Sequence, residues 1–196
     1  MTKTRIYKHM KSSTKLLEKF LGEASLLIDI ANEQFSGLSE AQINWKPSEK
    51  KWSIGECLDH LAATHKLYNS KIKELQPFVE HPGEDSLKFK HTFSGRMILK
   101  YVDPNSTTRT KTFKVFKPSM RQINANVIRF FCEEVEAMIS FAEQLQGADL
   151  RKIKISSPVT KLFRMNVGDA LLINLYHDKR HLNQAEKILN ATNFPK

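Results

Sequence analysis

Two histidines four residues apart, His177 and His181, stand near the C-terminal end in the stretch YHDKRHLNQAEKI, residues 176–188. On a helical wheel Val167, Ala170, Asn174, His177, His181, Ala185 and Ile188 fall within roughly sixty degrees of one line. Both imidazoles therefore point with small and apolar neighbours, where an unpaired polar ring is costly. Histidines at i and i+4 can bring ring nitrogens to one point, and a divalent cation satisfies both at once. The pattern alone is weak, because ordinary hydrogen-bonded or exposed histidines share it. The residue after His177 is Asp178, so the glutamate of a zinc-protease motif is missing.

A third ligand has to come from another element. The stretch WSIGECLDHLAATH offers His60 and His65, five residues apart and facing different directions. His60 lies at the edge of the apolar stripe Ile54, Leu58, Leu61, Tyr68 and Ile72, and His65 nearer its middle. Spacing does not choose between them, and a packed or surface role fits either equally well. His9, His81 and His91 fall in tail or loop positions and read as solvated.

Four long helices carry these residues. The first spans residues 13–35, with Leu16, Leu17, Phe20, Leu27, Ile30 and Ala31 at helical spacing and Gly37 as its C-terminal cap. Ser53 and Glu56 form a capping box that starts the second, which runs to about residue 75 and stops before Pro77. Pro118, Ser119 and Gln122 predict the start of the third, which continues through Ile123, Val127, Phe130, Phe131, Val135, Met138 and Leu145 to Gly147. The fourth spans residues 167–189. A crossover of residues 78–117 separates helices two and three, and its TKTFKVF piece alternates as an extended segment would. The expected fold is all-α: a single domain over residues 1–196, a four-helix bundle with a long crossover between helices two and three.

Composition excludes other classes. Hydrophobic residues make up 40% and charged residues 27%, too apolar for a disordered chain. No apolar run reaches membrane-spanning length, and residues 1–17 lack an apolar leader core, so a cytoplasmic location without membrane contact is expected. Cys57 and Cys132 have neither disulfide nor zinc-ribbon spacing and read as buried reduced thiols. The formal net charge of +10 raises the prior for a polyanionic partner. Its bases are spread along the chain, densest from Lys88 to Arg121, and no nucleic-acid motif accompanies them, so a solvated surface is the expected reading.

The chain resembles the DinB/YfiT-like superfamily of metal-dependent proteins. The resemblance rests on Trp45-x-Pro47, the run Trp52-Ser53-Ile54-Gly55-Glu56, the run Cys57-Leu58-Asp59-His60-Leu61, and Tyr176-His177-x-x-x-His181-x-x-Gln184. It implies a divalent cation, zinc or nickel, on three histidines: His60, eight residues after the tryptophan, together with His177 and His181. It places His65 outside the ligand set. Glu56, one turn before His60, becomes a candidate for orienting a ligand or acting as a catalytic base, beside its capping role. Asn174 and Gln184 flank the histidine pair by one turn, with ordinary helix polarity an equal reading. Asp178 and Arg180 are expected in surface contacts.

Three histidines leave coordination positions open, as in catalytic sites. Some relatives are thiol transferases using bacillithiol or mycothiol, some are thiol-dependent isomerases, and many have no known reaction. The leading expectation is therefore a thiol transferase acting on small molecules. Lys88, Lys90, Arg96, Arg109 and Lys111 of the crossover are candidates for the carboxylates of such a thiol. A metal-dependent hydrolase is the nearest alternative, and a non-catalytic metal-stabilised stress-response or binding module comes from a different class. Nucleic acid is not the expected partner. Relatives are often dimers, so a homodimer is expected from the resemblance alone.

Overall fold

The computed structural model of the chain describes residues 12–75, 88–106, 112, 114–118, 122–160 and 163–196. Helices α1 (Ser13–Phe35), α3 (Ile54–Lys73), α5 (Val127–Gln144) and α6 (Val167–Leu189) form the bundle, joined by two shorter helices, α2 (Glu40–Asn44) and α4 (Phe93–Val102). A hairpin of β1 (Lys154–Ser156) and β2 (Arg164–Asn166) pairs Ile155 with Met165. Among the described residues no helix is long and apolar enough to cross a membrane.

Pair contacts set the helix directions. Along α3 and α5, His65 meets Phe131 and Asn69 meets Glu134, so these helices run parallel. Along α1 and α6, a Cβ on Gly168 would meet Leu16, and Lys179 bonds Glu23, so these are parallel too. His60 meets His181 while His65 meets Asp178, which makes α3 and α6 antiparallel. The order up, down, down, up requires a long link between the two parallel neighbours α3 and α5, and the crossover supplies it.

Local chemistry explains most boundaries. The α3 capping box is complete: Glu56 N–H donates to Ser53 Oγ (3.1 Å) and Ser53 N–H to Glu56 Oε2 (2.9 Å). The Asn166 side chain likewise accepts from Asp169 N–H at the start of α6 (2.8 Å). Leu16, Leu17, Phe20, Leu27 and Ala31 of α1 are buried as their spacing predicts. The core is continuous across all four long helices.

Several expectations are corrected. The third long helix begins at Val127, not near Pro118, and its N-cap, Asn126, makes no side-chain cap bond. Ile123 is held out of the helix because Asn44 takes both its backbone groups, accepting from Ile123 N–H and donating to its carbonyl, each at 2.7 Å. Ser119 lies outside the described residues, as do Pro77, His9, His81, Arg109 and Lys111. Gly37 is not in the left-handed region; among the described residues only Gly147, after α5, has a positive φ, 77°. Lys114–Phe116 of the alternating piece forms a 3-10 turn instead of an extended segment.

The crossover also contains α4, capped by Thr92, whose Oγ1 accepts from Gly95 N–H (2.9 Å). This helix packs on α6 through Gly95, where an added Cβ would lie 2.2 Å from the Asp169 carboxylate. Asp169, fully buried, accepts from Thr92 N–H (2.9 Å), Thr92 Oγ1 (2.7 Å) and His91 Nδ1 (2.6 Å). His91 is therefore tied to the bundle and not solvated.

Candidate metal centre

His60 projects from α3, and His177 and His181 from successive turns of α6. One nitrogen from each ring can be chosen so that all three lie within 4.8 Å of one another. The ring centroids stand 4.7–4.8 Å apart in every pairing. His60 Nε2 and His177 Nε2 approach to 3.0 Å. Two nitrogens about 2.0–2.1 Å from one cation stand about 2.9 Å apart at a right angle and about 3.4 Å apart in a tetrahedron. The spacing of this pair falls between those limits, so His60 and His177 are placed to share a divalent ion, with a nitrogen of His181 within 4.8 Å of both.

The surroundings fix how the rings present themselves. His60 Nδ1 bonds the carbonyl of Phe116, and a carbonyl only accepts, so Nδ1 carries the proton. Its Nε2 lone pair is thereby turned toward the other two histidines, the arrangement that orients a ligating imidazole. Trp52 lies flat along His181, with centroids 5.6 Å apart and planes at 24°, and meets His60 edge-on at 5.0 Å. His181 Nδ1 is buried with no hydrogen-bond partner among the described residues. His60 is 3% exposed, whereas His177 and His181 keep partial exposure, so solvent reaches the cluster.

Burial keeps these imidazoles neutral. The His177 pKa is pushed well below its ordinary value, first by burial and then by repulsion from His181 and His60. His181 is lowered to about 3 by burial, His60 and Arg180, with a hydrogen bond to Gln184 acting the other way. His60 is also lowered by burial, partly opposed by the Phe116 carbonyl. Three neutral, converging imidazoles form a donor set suited to a cation.

The sequence profile of the DinB superfamily matches residues 28–185. The chain belongs to the DinB superfamily. No curated protein and no solved structure matches it. In this DinB chain the histidine cluster joins the second and fourth long helices of the bundle.

The other candidates fall outside the three-ring cluster of this DinB chain. Both Glu56 oxygens are engaged: Oε2 accepts from Ser53 N–H and Oε1 from Lys46 Nζ (2.6 Å). His65 bonds both oxygens of Asp178 through Nε2, at 2.8 and 2.9 Å. Asp178, expected at the surface, is therefore corrected to a buried residue, 2% exposed. Arg180, half-buried, makes contacts near the surface as expected: its Nη1 donates to the carbonyls of Tyr101, Asp103 and Ser106 at the end of α4. Asn174 donates to its own helix at Ala170. Both thiols are buried and free of disulfides, with burial raising Cys132 to about 11 and Cys57 further, so neither is a ready nucleophile.

Spacing did not show the roles of Trp52 and the Phe116 carbonyl. The aromatic at the entrance to a helix and a backbone oxygen from the crossover become partners only after folding. The nearly continuous apolar run ALLINLY, residues 170–176, is the one sequence signal for Asp178, since a helix apolar on every side is enclosed and leaves little solvated face for a carboxylate.

Proposed function

We propose that His60, His177 and His181 hold one divalent cation, zinc or nickel, and that the protein is a metal-dependent transferase acting on a low-molecular-weight thiol. The carrying observation is the convergence of three neutral imidazoles, with His60 Nε2 and His177 Nε2 3.0 Å apart and part of the cluster open to solvent. When bound, the cation supplies positive charge that favours the thiolate form of the substrate over the thiol. The chain's own residues do the positioning. Phe116 fixes the tautomer of His60, and Trp52 provides a flat wall over His181 that limits access of water on that side. In the transfer the thiol releases its proton, its sulfur bonds to an electrophilic carbon, and the leaving group departs with its electron pair. Lys88 and Lys90 are held at the start of α6, by the bridge to Ser12 and the Asn166 bond to the Lys90 carbonyl, about three helical turns from His177. Of the described candidates, Arg96 on α4 is therefore the one assigned to a carboxylate on such a thiol.

Hydrolysis would require a general base beside the site. Glu56 is committed to the α3 cap and to Lys46, which favours the thiol reading and leaves this carboxylate a structural role. The test is turnover of a panel of thiols and electrophiles by metal-free and metal-loaded protein. Metal-dependent consumption of a thiol, lost in His177→Ala, supports the reading. Turnover of esters or amides without any thiol overturns it in favour of hydrolysis.

A further inference from the structure

Helix α4 buries Ser94, Gly95 and Leu99 and turns aromatic side chains outward. Phe93 is 77% exposed and Tyr101 56%, with the half-buried Met97 between them and the exposed Lys100 on the same arc. Ser94 Oγ donates to the Arg164 carbonyl, so the β1–β2 hairpin adjoins the start of α4 and brings Phe163, 44% exposed, into the neighbourhood of Phe93. Ile155 and Met165 of the hairpin are buried, which leaves Lys154 and Arg164 on its outer side.

The charge around these aromatics is of one sign. Residues 88–102 and 152–166 contain no aspartate or glutamate. No described residue forms an ion pair with Lys90, Lys100, Lys154 or Arg164. Asp169, the carboxylate beneath α4, is fully buried and committed to His91 and Thr92. Single exposed apolar residues are ordinary, but a group of them ringed by unneutralised bases fits a partner that is both anionic and apolar.

The shape of the face selects among such partners. A phenyl ring three-quarters exposed stands out of the surface and does not line a groove for a peptide. Phe93 and Tyr101 lie eight residues, about 12 Å, apart along the helix, too far to stack successive bases that rise by about 3.4 Å. A bilayer asks only for apolar tips among bases, as in helices that lie in the membrane interface. We infer that α4 and the β1–β2 hairpin form a docking face for an anionic phospholipid bilayer. Phe93, Tyr101 and Phe163 enter the headgroup layer, and Lys100, Lys154 and Arg164 meet the lipid phosphates. A face that lies on a bilayer needs no spanning segment, so the lack of one does not count against it. The inference is independent of metal binding and of the reaction.

The test is sedimentation of the full chain with vesicles of phosphatidylglycerol mixed into phosphatidylcholine, beside vesicles of phosphatidylcholine alone. Wild type should pellet with the anionic vesicles and be released as salt rises. Phe93→Ala with Lys100→Ala should weaken binding about fiftyfold, about tenfold for the aromatic and about fivefold for the base. Arg129→Ala with Phe130→Ala removes one base and one exposed aromatic from α5. That helix packs on α1 and α3, as α6 does, and so lies diagonally across the bundle from α6 and its α4. This second variant should bind as wild type does, with circular dichroism confirming that both variants are folded. Wild type that stays in solution with anionic vesicles, or binds neutral ones equally well, overturns the inference. Equal losses in the two variants overturn it as well, because net charge and not the α4 face would then be responsible. So does binding of a single-stranded oligonucleotide that Phe93→Ala with Lys100→Ala abolishes while vesicles are ignored.

Discussion

Acidifying the metal-free protein should unfold it, by an amount that follows from the site. An unfolded histidine titrates near 6.5, whereas His181 in the fold is lowered to about 3, chiefly by burial. As pH falls below 6.5 the unfolded chain takes up a proton that the folded chain refuses, so stability present at neutral pH is lost on acidification. At pH 5 the gap is about 1.5 pH units, and at about 1.4 kcal/mol per unit His181 alone costs the fold about 2 kcal/mol. For a chain of 196 residues that lowers the unfolding midpoint by about 4–8 °C. His60 and His177 are shifted in the same direction and add to it. The assay is thermal unfolding from pH 7.5 to 5 with chelator present, comparing wild type with His181→Gln. The variant should show a shallower pH slope whatever its absolute midpoint. If wild type is flat or gains stability toward pH 5, or if both slopes are equal, the three rings are not held neutral by the fold.

Other perturbations report on neighbouring contacts. Trp52 lies against His181 whereas Trp45 packs on Phe194, so adding nickel or copper should quench tryptophan emission in Trp45→Phe and leave it largely unchanged in Trp52→Phe. Gly95→Ala would drive a methyl into the Asp169 carboxylate 2.2 Å away, and should destabilise the fold by about 1–3 kcal/mol in denaturant unfolding. Asp178→Ala leaves the buried His65 without its acceptor and should cost about 2–3 kcal/mol in the same measurement.

The long elements were legible because their signals are local. The first and fourth long helices match residues 13–35 and 167–189 end to end, and the Ser53–Glu56 box marks the start of α3. The start of α5 was not legible, because what stops Ile123 from being helical is Asn44, far away in sequence. Helix α4 escaped notice for a related reason. It is ten residues long, mixes Phe93, Arg96, Lys100 and Tyr101 on its exposed side, and owes its place to Gly95 and Asp169. Within the site, the i, i+4 histidines followed from the wheel, whereas choosing His60 over His65 needed the family resemblance. The physical difference between the two is their partners: His65 is already satisfied through Nε2 by Asp178, while His60 turns its Nε2 toward His177. Asp178 was misplaced because a charged residue in an amphipathic pattern reads as solvated unless its buried partner is known.

The most direct test of the account is elemental analysis of the purified protein beside His60→Ala, His177→Ala and His181→Ala. About one divalent metal ion per folded chain should be found in wild type, with each substitution removing most of it while circular dichroism still reports a helical fold. Wild type that takes up no divalent metal, or variants that retain it at full stoichiometry, would contradict the shared site on these three rings.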